Sequence, residues 1–142
     1  MKKVHSSTLI TLWINRAVAL LMAVLLFVMP AQFHDFILYG QILMTVAFYC
    51  CSVVIGVALW LMDALLRSIL RDEIFVRANV IRISRIRLCC GIVALICLPA
   101  AWAFPALVFL SVIMGFLCLV VSVVANVMDA AVSLQEENDL TI

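Results

Sequence analysis

Five polar side chains interrupt long apolar runs and are the residues of this sequence best suited to chemistry: Asn15, Arg16, Asp63, Asn126 and Asp129. A charged group inside a bilayer is costly unless it is paired or reaches water, so such groups often mark functional sites. We expect all five in the inner leaflet, where Arg16 could pair with Asp63 or Asp129 and the amides could hydrogen-bond the pair. In the simpler interpretation, Arg16 extends to the lipid headgroups and both aspartates lie at the aqueous boundary. The sequence does not choose between the two.

Enzyme chemistry finds no support in the sequence. No Ser-His-Asp set, phosphate-binding loop or pair of catalytic carboxylates can be assembled, and His5 and His34 are predicted on opposite sides of a membrane. The six cysteines lie within or at the edges of apolar runs and form no C-x-x-C pair. We therefore interpret them as small hydrophobic residues of the spans and not as metal or redox ligands. We therefore expect no enzyme, no catalytic residue, no metal site and no cofactor.

Membrane-spanning helices must position these polar groups. Of the 142 residues, 68% are hydrophobic and 12% are charged, whereas soluble domains are nearer half apolar and a quarter charged. Since a helix needs about 20 apolar residues to cross roughly 30 Å of hydrocarbon, spans are predicted at about 9–30, 42–66, 88–103 and 106–130. Pro99 and Pro105 divide the last two, because proline ends or kinks a helix. The predicted fold is an all-α, integral membrane four-helix bundle in a single domain.

Lysines and arginines predict the orientation, because connections rich in these residues stay in the cytoplasm. Lys2 and Lys3 precede the first span, and six arginines lie in the loop 67–87. The other two connections carry neither residue type. The sequence therefore predicts a membrane protein with both termini, the loop 67–87 and the tail 131–142 in the cytoplasm.

The loop 67–87 is predicted to contain a short amphipathic cytoplasmic helix. At about 100° per residue, Val80 and Ile83 fall on one side and Arg77, Arg82 and Arg85 on the other. Such a helix lies at the membrane surface, where its arginines contact lipid headgroups or an acidic partner. Direct nucleic-acid binding is not expected, because acidic residues dilute the charge and no series of stacking aromatics is present.

The tail carries three acidic residues, Glu136, Glu137 and Asp139, on the same predicted side as the arginines. We expect the last span to continue as a helix into the cytoplasm, since AAVSLQEEN contains no helix breaker. The acids would then either pair loosely with the loop, at about 0–1 kcal/mol for each exposed pair, or form a docking surface for a cytoplasmic partner.

Two stretches, RDEIFVRANVIRISRIR and the terminal LQEENDLTI, resemble a bacterial family of small four-helix membrane proteins. This is the domain-of-unknown-function family numbered twenty-nine seventy-five, and the resemblance covers nearly the whole chain. The residues that carry it most specifically are Phe75, Asn79, Val80, Arg82 and Ile86 of the loop and 136–142 of the tail.

One departure from the family pattern falls at the start of the loop helix. Members typically have Gly before the Phe region and Thr or Ser followed by Glu-Asn after it, whereas this chain has Asp72, Val76 and Ala78. The usual N-cap of the loop helix is therefore missing. The family has no assigned activity, but its genes often neighbour one for a very small helix-turn-helix regulator. The resemblance thus implies a membrane protein that restrains or signals to a transcription factor.

The leading hypothesis is a non-enzymatic, regulatory inner-membrane protein that presents the loop 67–87 and the acidic tail to such a regulator. The alternative is a small-solute or peptide-handling membrane protein, such as a transporter subunit or an immunity factor, that uses the inner-leaflet polar cluster. A third hypothesis is a lipid-packing or assembly protein without a ligand of its own. The lipid bilayer is an expected partner in each case, and association of the chain with copies of itself is left open.

Overall fold

The computed structural model describes residues 2–32, 38–71 and 73–141 of the chain. They form four helices: α1 (Lys2–Gln32), α2 (Leu38–Leu70), α3 (Arg77–Ala100) and α4 (Ala106–Leu140). The described residues are thus all-helical, as the sequence predicts. His34 in the connection between α1 and α2, Asp72, and the terminal Ile142 lie outside the described residues.

Three of these helices contain segments long and apolar enough to cross a membrane: Ser6–Val28, Gly40–Leu70 and Ala106–Leu140. Few residues of these segments are buried inside the protein, so most of their apolar side chains face outward. Apolar side chains on an outer face would be an aggregation liability in water, but they are satisfied by lipid. The helices are those of a membrane protein.

Helix α3 differs from the other three, because arginines occupy its first half and leave it outside the set of apolar spans. Residues 77–87 and 88–100 form one continuous helix, which rises about 36 Å at 1.5 Å per residue. Pro99 lies in its last turn, and Pro105 is the N-cap of α4. The two prolines therefore bracket the turn between α3 and α4, as their spacing in the sequence predicts.

The bundle is open rather than closed. Helix α1 packs against α2, α2 against α3, and α3 against α4, and no other pair of helices is in contact among the described residues. The buried apolar side chains include Leu12, Leu61, Leu66, Ile83, Val93, Ala125 and Val132.

Small side chains and one buried hydroxyl hold the contact between α3 and α4. Ser111 Oγ donates a hydrogen bond of 2.8 Å to the carbonyl oxygen of Ala94 across this contact. Gly91 faces Cys118 across this contact, where a Cβ atom would lie 3.6 Å from the sulfur, an ordinary van der Waals distance. Close approach matters because lipid gives helices no hydrophobic reason to associate, and packing must supply the attraction.

Helix α3 begins without a side-chain cap. Val76 occupies the N-cap position with an extended backbone and makes no side-chain capping bond. The backbone N–H of Asn79 donates to the carbonyl oxygen of Val76 at 2.8 Å, which closes the first turn tightly.

The side chain of Asn79 bonds the connection before the helix rather than the N–H groups of its first turn. It is fully buried, with a relative exposure of 0%, and its Nδ2 donates to the carbonyl oxygens of Glu73 at 2.7 Å and Ile74 at 3.1 Å. Ser68, at the end of α2, donates its hydroxyl to the same Glu73 carbonyl at 3.1 Å. Arg82 Nη1 donates to Asn79 Oδ1 at 2.8 Å. One amide therefore ties the end of α2, the connection and the first turns of α3 together.

We expect Asn79→Ala to lower the apparent free energy of unfolding in detergent by about 2–3 kcal/mol, because the protein would lose the hydrogen bonds of a fully buried amide. The control is Asn126→Ala, which removes the same amide from an exposed position and should change stability by no more than about 0.5 kcal/mol. Equal effects of the two substitutions in denaturant titrations would contradict a special role for Asn79.

Candidate functional site

The polar groups collect at the basic end of the protein, meaning the end at which α1 and α3 begin and α2 and α4 end. Arg16 Nε of α1 lies 3.4 Å from Asp63 Oδ1 of α2. Arg67, one turn further along α2, pairs with Asp63 Oδ2. The Asp63 side chain is only 13% exposed, and Asn15 Nδ2 donates to the carbonyl oxygen of Leu59 at 3.1 Å. Helices α1 and α2 are thus joined by an ion pair and by an adjacent hydrogen bond from the Asn15 side-chain amide.

The structure separates Asp129 from this group, because α1 and α4 make no contact among the described residues. Asp129 instead pairs with Arg77, whose second terminal nitrogen, Nη2, lies 2.9 Å from Glu136 Oε2. The two carboxylates are seven residues apart, so they stand two turns apart on the side of α4 that faces α3. Asn126 is exposed and has no hydrogen-bond partner within the described ranges. The five polar groups therefore do not form one site. Asn15, Arg16 and Asp63 lie together, Asp129 pairs with Arg77, and Asn126 belongs to neither group.

Helix α4 continues through Asp129 to Leu140, as the sequence predicts. The eleven residues after Asp129 extend the helix by about 16 Å at 1.5 Å per residue. Glu137 and Asp139 are exposed and take part in no ion pair in the described part of the chain. Arg85 likewise makes none there. Of the predicted tail and loop residues, the structure pairs Arg77 with Glu136.

A cavity of about 350 Å³ lies at the basic end between the end of α2 and the start of α3. Its charged lining residues are Asp63, Arg67, Arg71, Glu73 and Arg82, and this space is named the basic cavity below. From the sequence, Arg67 and Arg71 are predicted only as basic residues that orient the chain in the membrane. Their spacing from Asp63, in steps of four residues, places all three on one face of α2, and that periodicity would have indicated a shared site.

A second cavity of about 360 Å³ lies between α1 and α2 and is named the α1–α2 groove. It is lined mainly by apolar residues, including Met22, Leu26 and Gly56, and it shares Trp60 and Asp63 with the basic cavity. The basic cavity and the α1–α2 groove are therefore neighbouring parts of one depression in the surface.

The comparison with known families bears on all of these residues. The family model described as "Protein of unknown function (DUF2975)" matches residues 12–142. The chain belongs to this family. The match begins in α1 and includes the whole of α2, α3 and α4. Both polar sites and both cavities therefore lie in the family's domain. No curated protein and no solved structure matches the chain.

The contact of Arg77 with Glu136 in this DUF2975 chain can be measured by a double-mutant cycle. We expect Arg77→Gln and Glu136→Gln to couple by about 0.5–1 kcal/mol at low salt and by less at high salt, because both side chains are about half exposed. The control cycle pairs Arg85→Gln with Glu136→Gln and should give no coupling. Equal coupling in the two cycles would mean that the tail senses only the overall charge of α3.

Proposed function

We propose that the protein is a non-enzymatic, regulatory protein of the bacterial inner membrane whose cytoplasmic face holds a small helix-turn-helix regulator. The proposal requires the basic end to face the cytoplasm. Lys2, Lys3 and six arginines belong to the segments at that end, and connections rich in such residues remain cytoplasmic. All four helices then cross the membrane, with α3 anchored at its arginine-bearing end.

The length of α4 supports a cytoplasmic projection. Its 35 residues rise about 52 Å at 1.5 Å per residue, whereas the hydrocarbon is roughly 30 Å thick. Because a short turn joins α3 to α4 at the other end, most of the excess length emerges at the basic end. The tail would therefore project from the membrane surface as a continuation of α4.

The observation that carries the proposal is the division of this tail into two faces. Asp129, Val132 and Glu136 face α3, where Val132 is 2% exposed and both acids pair with Arg77. Leu134 and Glu137 lie on the opposite face and are exposed. The contacts with α3 fix the helix, and the fixed helix presents an acidic surface that contains an exposed leucine.

A small DNA-binding protein suits that surface, because proteins that neutralise phosphates carry clusters of Lys and Arg. An acidic helix attracts such a cluster and competes with DNA for it, which gives a physical route from membrane binding to regulation. The exposed leucine would supply apolar contact area at the centre of the docking surface.

Reporter fusions test the orientation. We expect fusions after Glu73 and after Leu140 to report the cytoplasm and a fusion after Trp102 to report the outside, because the arginine-rich segments remain inside. An external C-terminus would overturn both the orientation and the proposed docking surface.

Capture of a small helix-turn-helix regulator, of the kind that genes of this family often neighbour, tests the partner. The full chain in detergent should retain it, and Glu137→Lys should lower retention about tenfold, because an attractive charge on the exposed face becomes a repulsive one. Glu73→Lys is the control, since it reverses an exposed charge at the same end but away from the tail. Failure of the unaltered chain to retain the regulator, or equal losses in tail and control variants, would refute the proposal.

A further inference from the structure

The basic cavity has the composition of an anion site. Its wall holds three arginines, Arg67, Arg71 and Arg82, against two carboxylates, Asp63 and Glu73, which leaves a net charge of +1. The charge of Asp63 is also shared with Arg16, which lies outside this wall. Guanidinium groups bind phosphate through paired N–H donors, so a cavity lined by several of them favours a phosphate group.

Two of these arginines are held in place by bonds that leave most of their donors available. Arg82 uses Nη1 on Asn79 Oδ1, and Asn79 is itself buried and doubly bonded to the connection between α2 and α3. Arg67 uses Nη2 on Asp63. Each side chain has five N–H donors, so further bonds can be made without breaking these contacts. Prior anchoring lowers the entropy lost when a ligand binds.

Arg71 is the third cationic group, and its side chain makes no hydrogen bond or ion pair within the described residues. It lines the basic cavity from the position that directly follows α2. All five N–H donors of its guanidinium are therefore available to an anion in the cavity.

The surroundings of the cavity distinguish a lipid from a soluble phosphate. Trp60, whose relative exposure is 69%, lines both the basic cavity and the α1–α2 groove. An exposed tryptophan beside arginines is typical of the headgroup level of a membrane, where the indole ring is both apolar and a hydrogen-bond donor. A small soluble phosphate has no apolar group that could contact the groove beside the cavity.

The dimensions of the groove suit one leaflet. Its α2 wall extends from Asp63 to Ser52, a rise of about 16 Å at 1.5 Å per residue, against roughly 15 Å for half of the hydrocarbon. The groove shares Met22 and Ser52 with a third, apolar cavity of about 470 Å³ nearer the turn between α3 and α4. An acyl chain entering at Trp60 would therefore find apolar surface throughout its own leaflet.

We infer that the basic cavity and the α1–α2 groove together form a binding site for an anionic phospholipid. The phosphate lies among Arg67, Arg71 and Arg82, and an acyl chain lies between α1 and α2 against Gly56. This site is separate from the acidic tail, and its occupation does not require a protein partner.

Native mass spectrometry of the full chain in detergent tests the headgroup. We expect phosphatidylglycerol to be retained at least tenfold more strongly than phosphatidylcholine with the same acyl chains. Arg71→Gln should weaken retention of phosphatidylglycerol about fivefold, the effect of one basic residue beside an anionic lipid. Arg85→Gln is the matched control, because it removes the same charge from an exposed position outside the cavity wall.

Substitution of glycine tests the acyl groove. A Cβ atom at Gly56 would meet nothing within 4 Å, so Gly56→Leu adds its side chain to open space in the groove without a clash in the fold. We expect it to lower retention of phosphatidylglycerol at least fivefold. Gly115→Leu is the control, since Gly115 also has open space around it but lies on α4.

Three results would each overturn the inference. These are equal retention of the two lipids, equal losses in Arg71→Gln and Arg85→Gln, and unchanged retention in Gly56→Leu. A fourth arm uses glycerol phosphate as competitor. Displacement of phosphatidylglycerol by glycerol phosphate at equal concentration would overturn the lipid assignment in favour of a soluble phosphate ligand.

Discussion

The buried amide of Asn79 is the interaction on which the rest of the structure depends. Helix α3 is one of the two inner helices, because it packs against both α2 and α4, as α2 packs against α1 and α3. Its rotation and depth relative to α2 are set at one connection, where Asn79 bonds the Glu73 and Ile74 carbonyls and Ser68 bonds Glu73 from the other side. Once that end of α3 is fixed, Arg77 is directed toward α4 and Arg82 toward the basic cavity.

The hydrogen bonds of Asn79 are also expected to contribute more to stability than the ion pairs of Arg77. Hydrogen bonds of a fully buried amide are costly to break, at about 1–3 kcal/mol for each unsatisfied group, whereas the pairs of Arg77 with the tail are half exposed and contribute about 0–1 kcal/mol each. The connection between α2 and α3 therefore contributes more to the arrangement of the helices than the ion pairs that join the end of α4 to Arg77.

Much of the fold follows from the sequence because lipid permits few backbone arrangements. Apolar runs of sufficient length must be helical, and Pro99 and Pro105 leave room for only one turn between α3 and α4. The site is harder to predict. Arg16 has two possible acidic partners at the same depth, and the choice between Asp63 and Asp129 depends on which helices are neighbours, which hydropathy does not reveal. The role of Asn79 was missed for another reason. Capping rules examine the residue before a helix, whereas Asn79 lies inside the first turn and donates to carbonyl groups of the connection.

The open arrangement of the helices has a consequence for function. A closed bundle would bring α4 against α1 and fill the space beside the α1–α2 contact with side chains. Because α4 contacts α3 alone among the described helices, the wall between Met22 and Gly56 stays uncovered by protein. In a bilayer such a surface does not remain empty, since acyl chains occupy every apolar depression that they can reach. What distinguishes this depression from an ordinary lipid-facing surface is its end, where Trp60 and three arginines meet the headgroup region. Any bilayer lipid can fill the apolar part. A zwitterionic lipid, however, brings a cation beside its phosphate, whereas an anionic lipid brings only negative charge to the arginines, so selectivity resides at the basic end and not in the groove.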